Sequence, residues 1–120
     1  MRVAFAIPGP PQPWVRWRVK GWSRWHAYRE HVRYSAAPHV PKDWPGADYP
    51  KRRLDLTLRM FFPDLRVRDA DNVEHGIVDA LNGVLWQDDR WTTFCGIHMH
   101  PELDRENPRV ELACEVVSCA

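Results

Sequence analysis

The sequence predicts an α+β domain: a mixed β-sheet with helices packed on one face, in the order β-α-β-α-β-β. Three observations carry this. Apolar residues alternate with period two over 2–7, 54–62, 91–100 and 109–116. They recur at helical spacing over 23–36 and 71–82, and a change of period marks a change of element. Proline and glycine clusters separate these stretches. At 120 residues the chain makes one domain, 1–120, with a modest core.

Val3, Phe5 and Ile7 share one side of the first strand. Pro8-Gly9-Pro10-Pro11 and Pro13 end it, because proline has no N–H to give a ladder. In 14–25, Trp14, Trp17, Trp22 and Trp25 are interleaved with Arg16, Arg18, Lys20 and Arg24. Indole faces stack on unpaired bases and the cations meet phosphates. The plainer alternative puts at least two of the rings in the core. Ser23 is placed to cap a helix running to about Ala36, with Trp25, Tyr28 and Val32 on its apolar side and Pro38 as its stop. Residues 37–50 carry Pro38, Pro41, Pro45 and Pro50 and read as an extended connection.

The second strand, Leu54 to Phe62, puts Leu54, Leu56, Leu58, Met60 and Phe62 on one face. Pro63 ends it, and 64–68 form a loop into the second helix. Asp71 with Glu74 matches a capping box there. Val73, Ile77, Ala80 and Leu81 form a buried stripe, while Asp71, His75, Asp79 and Asn82 form a polar one. Asn82-Gly83 is a C-terminal stop. A strand follows from about Trp91 to His100, then a loop from Pro101 to Pro108, then a last strand with Val110, Leu112, Cys114 and Val116 inward.

The net charge is +1, but residues 1–68 hold 14 Lys/Arg against 5 Asp/Glu, and residues 69–120 hold 3 against 11. A basic half beside an acidic one suits a protein that grips a polyanion and sets a metal against it; mutual neutralisation of the halves is the simpler alternative. No apolar run is long enough to span a bilayer, and no signal peptide is read before the first strand. Three cysteines without a C-x-x-C fit an intracellular, cytoplasmic protein.

The chemistry centres on Asp69, Asp71, Asp88 and Asp89. Crowded carboxylates repel unless a cation holds them. These four offer only hard oxygens, a set that favours Mg²⁺, with Mn²⁺ possible, over zinc. A metal so held serves displacement at phosphorus. The bland alternative makes Asp71 a cap and Asp69 a turn residue. Cys95, His98 and His100 suggest zinc, but on one strand Cys95 points away from both histidines. A two-carboxylate glycosidase would leave the Trp/Arg stretch idle.

Arg68-Asp69-Ala70-Asp71-Asn72, then Asp79-Ala80-Leu81-Asn82-Gly83, then Trp86-Gln87-Asp88-Asp89 resembles the signature of RusA-type Holliday junction resolvases. The resemblance is strongest over residues 60–95. It implies a RusA-like fold and a homodimeric, Mg²⁺-dependent endonuclease that nicks four-way DNA junctions symmetrically in recombination and repair. It also implies that Asp69, Asp71 and Asp89 are the catalytic carboxylates. His75 stands where the family commonly has lysine. Histidine as a residue type titrates near about 6.5, so it offers a weaker cation than lysine at neutral pH. Asp69, Asp71, Asp88 and Asp89 are the expected metal ligands, and His75 joins the catalytic set. Arg16, Arg18, Lys20, Arg24, Arg66 and Arg68 are the expected DNA contacts. The alternative is a branched-DNA-binding protein of the same fold with weak or altered nuclease activity.

Overall fold

The computed structural model describes residues 1–119. Its elements are β1 (Arg2–Pro8), α1 (Trp22–Ala36), a 3-10 turn (Ala37–His39), β2 (Arg52–Phe62), α2 (Ala70–Ala80), β3 (Phe94–Leu103) and β4 (Arg109–Ser118). This is the expected α+β order. The sheet order is β1-β4-β2-β3. β4 is antiparallel to both β1 and β2, while β2 and β3 run parallel.

Alternation decides which face is covered. Val3, Phe5 and Ile7 from β1, Leu56, Leu58 and Met60 from β2, and Val110, Leu112 and Cys114 from β4 are buried on one side. Trp25, Tyr28 and Val32 of α1 and Val73 and Ile77 of α2 close over them in one cluster. α1 packs on β1 and on α2, and α2 reaches β3. The other face is polar, with Arg2 opposite Glu115 and Glu111 opposite Arg59. There His98 Nε2 lies 2.9 Å from Asp55 Oδ1, while Cys95 Sγ donates to the Leu54 carbonyl. Cys95 and His98 thus have different partners on β2, and Cys95 sits where the β2–β3 register shifts between Leu54 and Asp55. No helix of the described residues is long and apolar enough to cross a membrane.

Several local expectations are corrected. α1 begins after Gly21, whose φ of 93° suits a residue without Cβ, and no side chain caps it; Ser23 lies inside the helix. β3 starts at Phe94, because Trp91 to Thr93 form a turn whose carbonyls at Trp91 and Thr93 accept from Arg53 and from the Leu54 N–H. β3 also runs on through Pro101 to Leu103, pairing Phe62 with Leu103. That proline is tolerated because β3 is an edge strand. Residues 37–50 are tied to the core by Trp44, whose Nε1 donates to the Leu85 carbonyl at 2.8 Å.

Gly76 decides how the helices meet. A Cβ there would lie 2.8 Å from Trp25 Cζ3, 2.9 Å from Trp25 Cη2 and 3.2 Å from Trp14 Cβ. Gly76 thus admits two tryptophans of its own chain, Trp25 and Trp14. Trp25 is buried and has little room to retreat. Overpacking a core costs about 1–3 kcal/mol, against about 1 kcal/mol that alanine returns in helix propensity. Gly76→Ala should therefore lower the unfolding free energy by up to about 2 kcal/mol in urea titration. A rise would show that Trp25 does not rest on this glycine.

Candidate active site

The loop between β2 and α2 is held by Asp64. Its Oδ1 accepts from the Arg66 N–H at 3.0 Å and from Arg68 Nη1 at 2.7 Å. The Arg68 hydrogen bond, first among the causes, brings the Asp64 carboxyl down to about 2. The Arg68 guanidinium also lies 5.2 Å from the centre of the Phe62 ring. Fixed this way, the loop delivers Asp69 to the start of α2.

Asp69, not Asp71, caps the helix. Its backbone is extended and its Oδ1 accepts from the Asn72 N–H at 3.3 Å. The Asp71–Glu74 capping box is thus not formed, because the helix begins two residues earlier than that box requires. Asp71 sits exposed in the first turn, where the helix dipole favours negative charge. Glu74 is half-buried, and its carboxyl is raised first by burial and in part by Asp71. His75 follows Asp71 one turn on, exposed, with the Trp14 ring edge-on at 5.0 Å.

Asn72 carries a role that the sequence reading missed. Its Nδ2 donates to the Trp14 carbonyl at 3.0 Å, and its own carbonyl accepts from the Trp14 N–H at 3.4 Å. This pair ties the Trp/Arg segment to the carboxylate end of α2. The position after a D-x-D was the available signal.

The second carboxylate pair stands at the other end of the helix. Gly83 takes φ 82° and donates its N–H to the Trp86 carbonyl. Trp86 is buried, donates Nε1 to the Val78 carbonyl at 3.0 Å and meets Phe94 edge-on at 4.9 Å. Arg33, also unforeseen, reaches from α1 to the Ala80 and Asn82 carbonyls at 2.8 Å each. It satisfies carbonyls that the helix end leaves free. Asp88 Oδ1 accepts from the Arg90 N–H and its Oδ2 pairs with Arg90 Nε at 3.0 Å, while the Asp88 carbonyl accepts from Thr93. Asp89 beside it is exposed.

The two pairs therefore do not meet within one chain. Eleven helical residues span about 16 Å, and Trp86 pins the chain at the far end. Among the described residues no three His, Cys, Asp or Glu side chains are grouped to hold a metal ion. The donors at each end are exposed or half-exposed carboxylates, whose chemistry fits a hard divalent cation. Each end supplies only part of a ligand shell.

The basic candidates cluster near the first pair. Arg24, Arg66 and Arg68 line a cleft of about 450 Å³ together with Asp69 and Pro11 to Pro13. Arg16, Arg18 and Lys20 are exposed in the turn that follows Trp14. Trp25 is buried, Trp14 and Trp22 pack against the core in part, and Trp17 is 58% exposed. Trp91 is exposed too, edge-on to Tyr49 at 5.3 Å, with Arg53 against both rings.

A sequence profile described as endodeoxyribonuclease RusA matches residues 8–115. The chain belongs to the endodeoxyribonuclease RusA family. It is thereby a DNA nuclease, and the match takes in both carboxylate pairs and the Trp/Arg segment. No curated protein matches the chain.

Arg68→Met should return the Asp64 carboxyl toward the ordinary value of about 3.9, read by NMR titration. The sign follows from the depressed value: the Arg68–Asp64 contact stabilises the fold above the ordinary carboxyl range, and its contribution is lost as pH falls toward 2. An unmoved Asp64 titration would remove Arg68 as the loop's anchor.

Proposed function

We propose that this RusA-family nuclease resolves four-way DNA junctions by paired nicks, as a Mg²⁺-dependent homodimer. The observation that carries the reading is the placement of two incomplete carboxylate pairs at opposite ends of α2. In the dimer, Asp69 and Asp71 of one copy face Asp88 and Asp89 of the other, and two equivalent sites form. Two sites related by a two-fold axis suit a substrate that needs two related nicks.

Asp69, Asp71 and Asp89 would hold the cation, and Mn²⁺ could replace Mg²⁺ in a set of hard oxygens. When bound, the cation supplies charge stabilisation for displacement at phosphorus. The chain's own residues supply the rest. Asp69 caps α2 through Oδ1, and its remaining oxygen would be available to a cation. Asp88, engaged by Arg90, holds the loop that presents Asp89. His75, on the same side of α2 as Asp71, faces the phosphate. Arg24, Arg66 and Arg68 guide the backbone along their cleft toward Asp69, and Arg16, Arg18 and Lys20 extend that track. Cleavage of a labelled four-way junction, and not of the matched linear duplex, in Mg²⁺ but not in EDTA is the direct test. Tight junction binding without cleavage would favour the binding-protein reading instead.

Two further outcomes follow. Asp71→Asn and Asp89→Asn should each be inactive alone. Mixed and allowed to exchange subunits, they should regain single nicks, because half of each heterodimer's sites receive both intact parts. Continued silence of the mixture would place all the carboxylates of a site in one chain. Separately, junction affinity should fall steeply with salt, each phosphate contact releasing about 0.9 of a counterion. Changing Arg16, Arg18, Lys20 and Arg24 together to alanine should flatten that slope by about 3–4, measured by fluorescence anisotropy. An unchanged slope would remove the segment from the DNA surface.

A further inference from the structure

We infer that Trp91, Tyr49 and Arg53 form a stacking site for one unpaired base of the DNA substrate, beside the Asp88–Asp89 pair. The inference rests on the reading above that puts Asp89 at the cleaved phosphate, and it adds a group that recognises unpaired DNA. Two large rings stand in the open here. Trp91 is 71% exposed and Tyr49 is 48% exposed. Their centroids are 5.3 Å apart and their planes meet at 67°. The pair thus makes a corner, and exposure of that size leaves a face of the indole uncovered.

The corner is held from behind. Arg53, on β2, donates Nη2 to the Trp91 carbonyl at 2.7 Å and to the Phe94 carbonyl. Its guanidinium carbon lies 5.9 Å from the centre of each ring. Carbonyls do not cancel a charge, so the guanidinium remains a cation set against both rings. The loops beneath the rings are tied as well. Asp48, before Tyr49, exchanges backbone hydrogen bonds with Arg52 at 2.8 and 2.9 Å. Thr93, after Trp91, donates its N–H to the Arg90 carbonyl at 2.9 Å and its Oγ1 to the Asp88 carbonyl at 2.7 Å. Backbone fixed in this way presents the rings in place, which lowers the ordering cost of binding.

Chemistry selects the occupant. The chain belongs to a DNA nuclease family, and Trp91 stands two residues after Asp89. Aromatic faces with an arginine beside them take bases by stacking, whatever the identity of the base. A base inside a duplex is already stacked on both sides and gains little from a further ring. An unpaired base at a branch has a free face to offer. The site therefore favours branched over linear DNA without reading sequence. A cleft of about 290 Å³, lined by Tyr49, Gln87, Asp88 and Arg90 among others, joins the ring corner to the Asp88 loop. A base seated at the corner then has its own backbone beside the carboxylate pair.

Binding would be measured by fluorescence anisotropy in EDTA, where no cleavage intervenes, on a forked duplex with unpaired arms and on the matched linear duplex. Trp91→Ala should weaken binding of the fork by about five-fold or more and leave the linear duplex unchanged. Trp91→Phe, which keeps a ring, should recover most of the loss. A fluorescent purine analogue at the branch of the fork should be quenched by the wild-type protein and not by Trp91→Ala. Unchanged fork affinity in Trp91→Ala overturns the site. Equal losses on fork and linear duplex also overturn it, because they mark a backbone contact or a role in the fold. Should Trp91→Ala fold poorly by circular dichroism, Tyr49→Ala removes the other wall of the corner and is judged by the same outcomes. The binding assay is separate from cleavage. A protein that holds the fork through Trp91 but cuts no four-way junction keeps this site and loses the resolvase reading, and one that cuts the junction with Trp91 idle does the reverse.

Discussion

Parallel pairing of β2 with β3 is the constraint on which the rest depends. Parallel neighbours need a crossover, and here the crossover is α2. The helix must start where β2 ends and finish where β3 begins. Residues just before it and just after it are then held at opposite ends of the sheet. Asp69 and Asp71 fall in the first position and Asp88 and Asp89 in the second. No side-chain adjustment brings them together, because the separation is built into the strand direction. The same constraint leaves β3 at the sheet edge, with β4 occupying the other side of β2.

The remaining parts of the site are positioned by contacts that cross from one half of the sequence to the other. The basic segment comes early in the chain and the carboxylates come late. Asn72 joins them through two hydrogen bonds to Trp14, and Gly76 lets Trp14 and Trp25 lie against α2. Arg33 does the same service at the far end of the helix. Charges of the two halves meet across the fold where Arg59 pairs with Glu102. The ion pairs found are mostly short-range, such as Arg68 with Asp64 and Arg90 with Asp88. Exposed pairs of that kind contribute little to stability, which leaves Arg16, Arg18, Lys20 and Arg24 exposed on the surface.

Much of this was legible because it depends on period. The alternation of Leu54 to Phe62 and of Val110 to Cys114 named the buried face, and Val73, Ile77 and Ala80 named the buried stripe of α2. The carboxylate motif also announced itself, through residues that would be costly to crowd without a cation. What the sequence left obscure involves partners distant in the chain. Whether Asp69 or Asp71 caps α2 turns on a two-residue shift of the helix start. Gly76 gives no local sign that it seats Trp25, which depends on where residues 14–25 lie. Arg33 gives no local sign that it caps a helix some fifty residues later. The pairing partner of β3 could not be read from its own residues, so neither could its position at the edge.

The divided carboxylate set has a consequence for folding as well as for chemistry. Four acids forced into one monomeric pocket would have to be charged against one another, or protonated, before any cation arrived. Here each chain folds with its pairs apart, and each pair has its own local relief. Asp69 accepts an N–H, Asp71 lies at the positive end of a helix dipole and Asp88 pairs with Arg90. The neighbouring Glu74 carboxyl is raised, first by burial and in part by Asp71. In the composite site proposed above, repulsion between the pairs arises only when two copies meet. A cation that binds there binds the dimer and not the monomer, so by mass action it draws the copies together. On that proposal assembly, metal and substrate would be linked, and a lone chain would carry the parts of a nuclease without a working site.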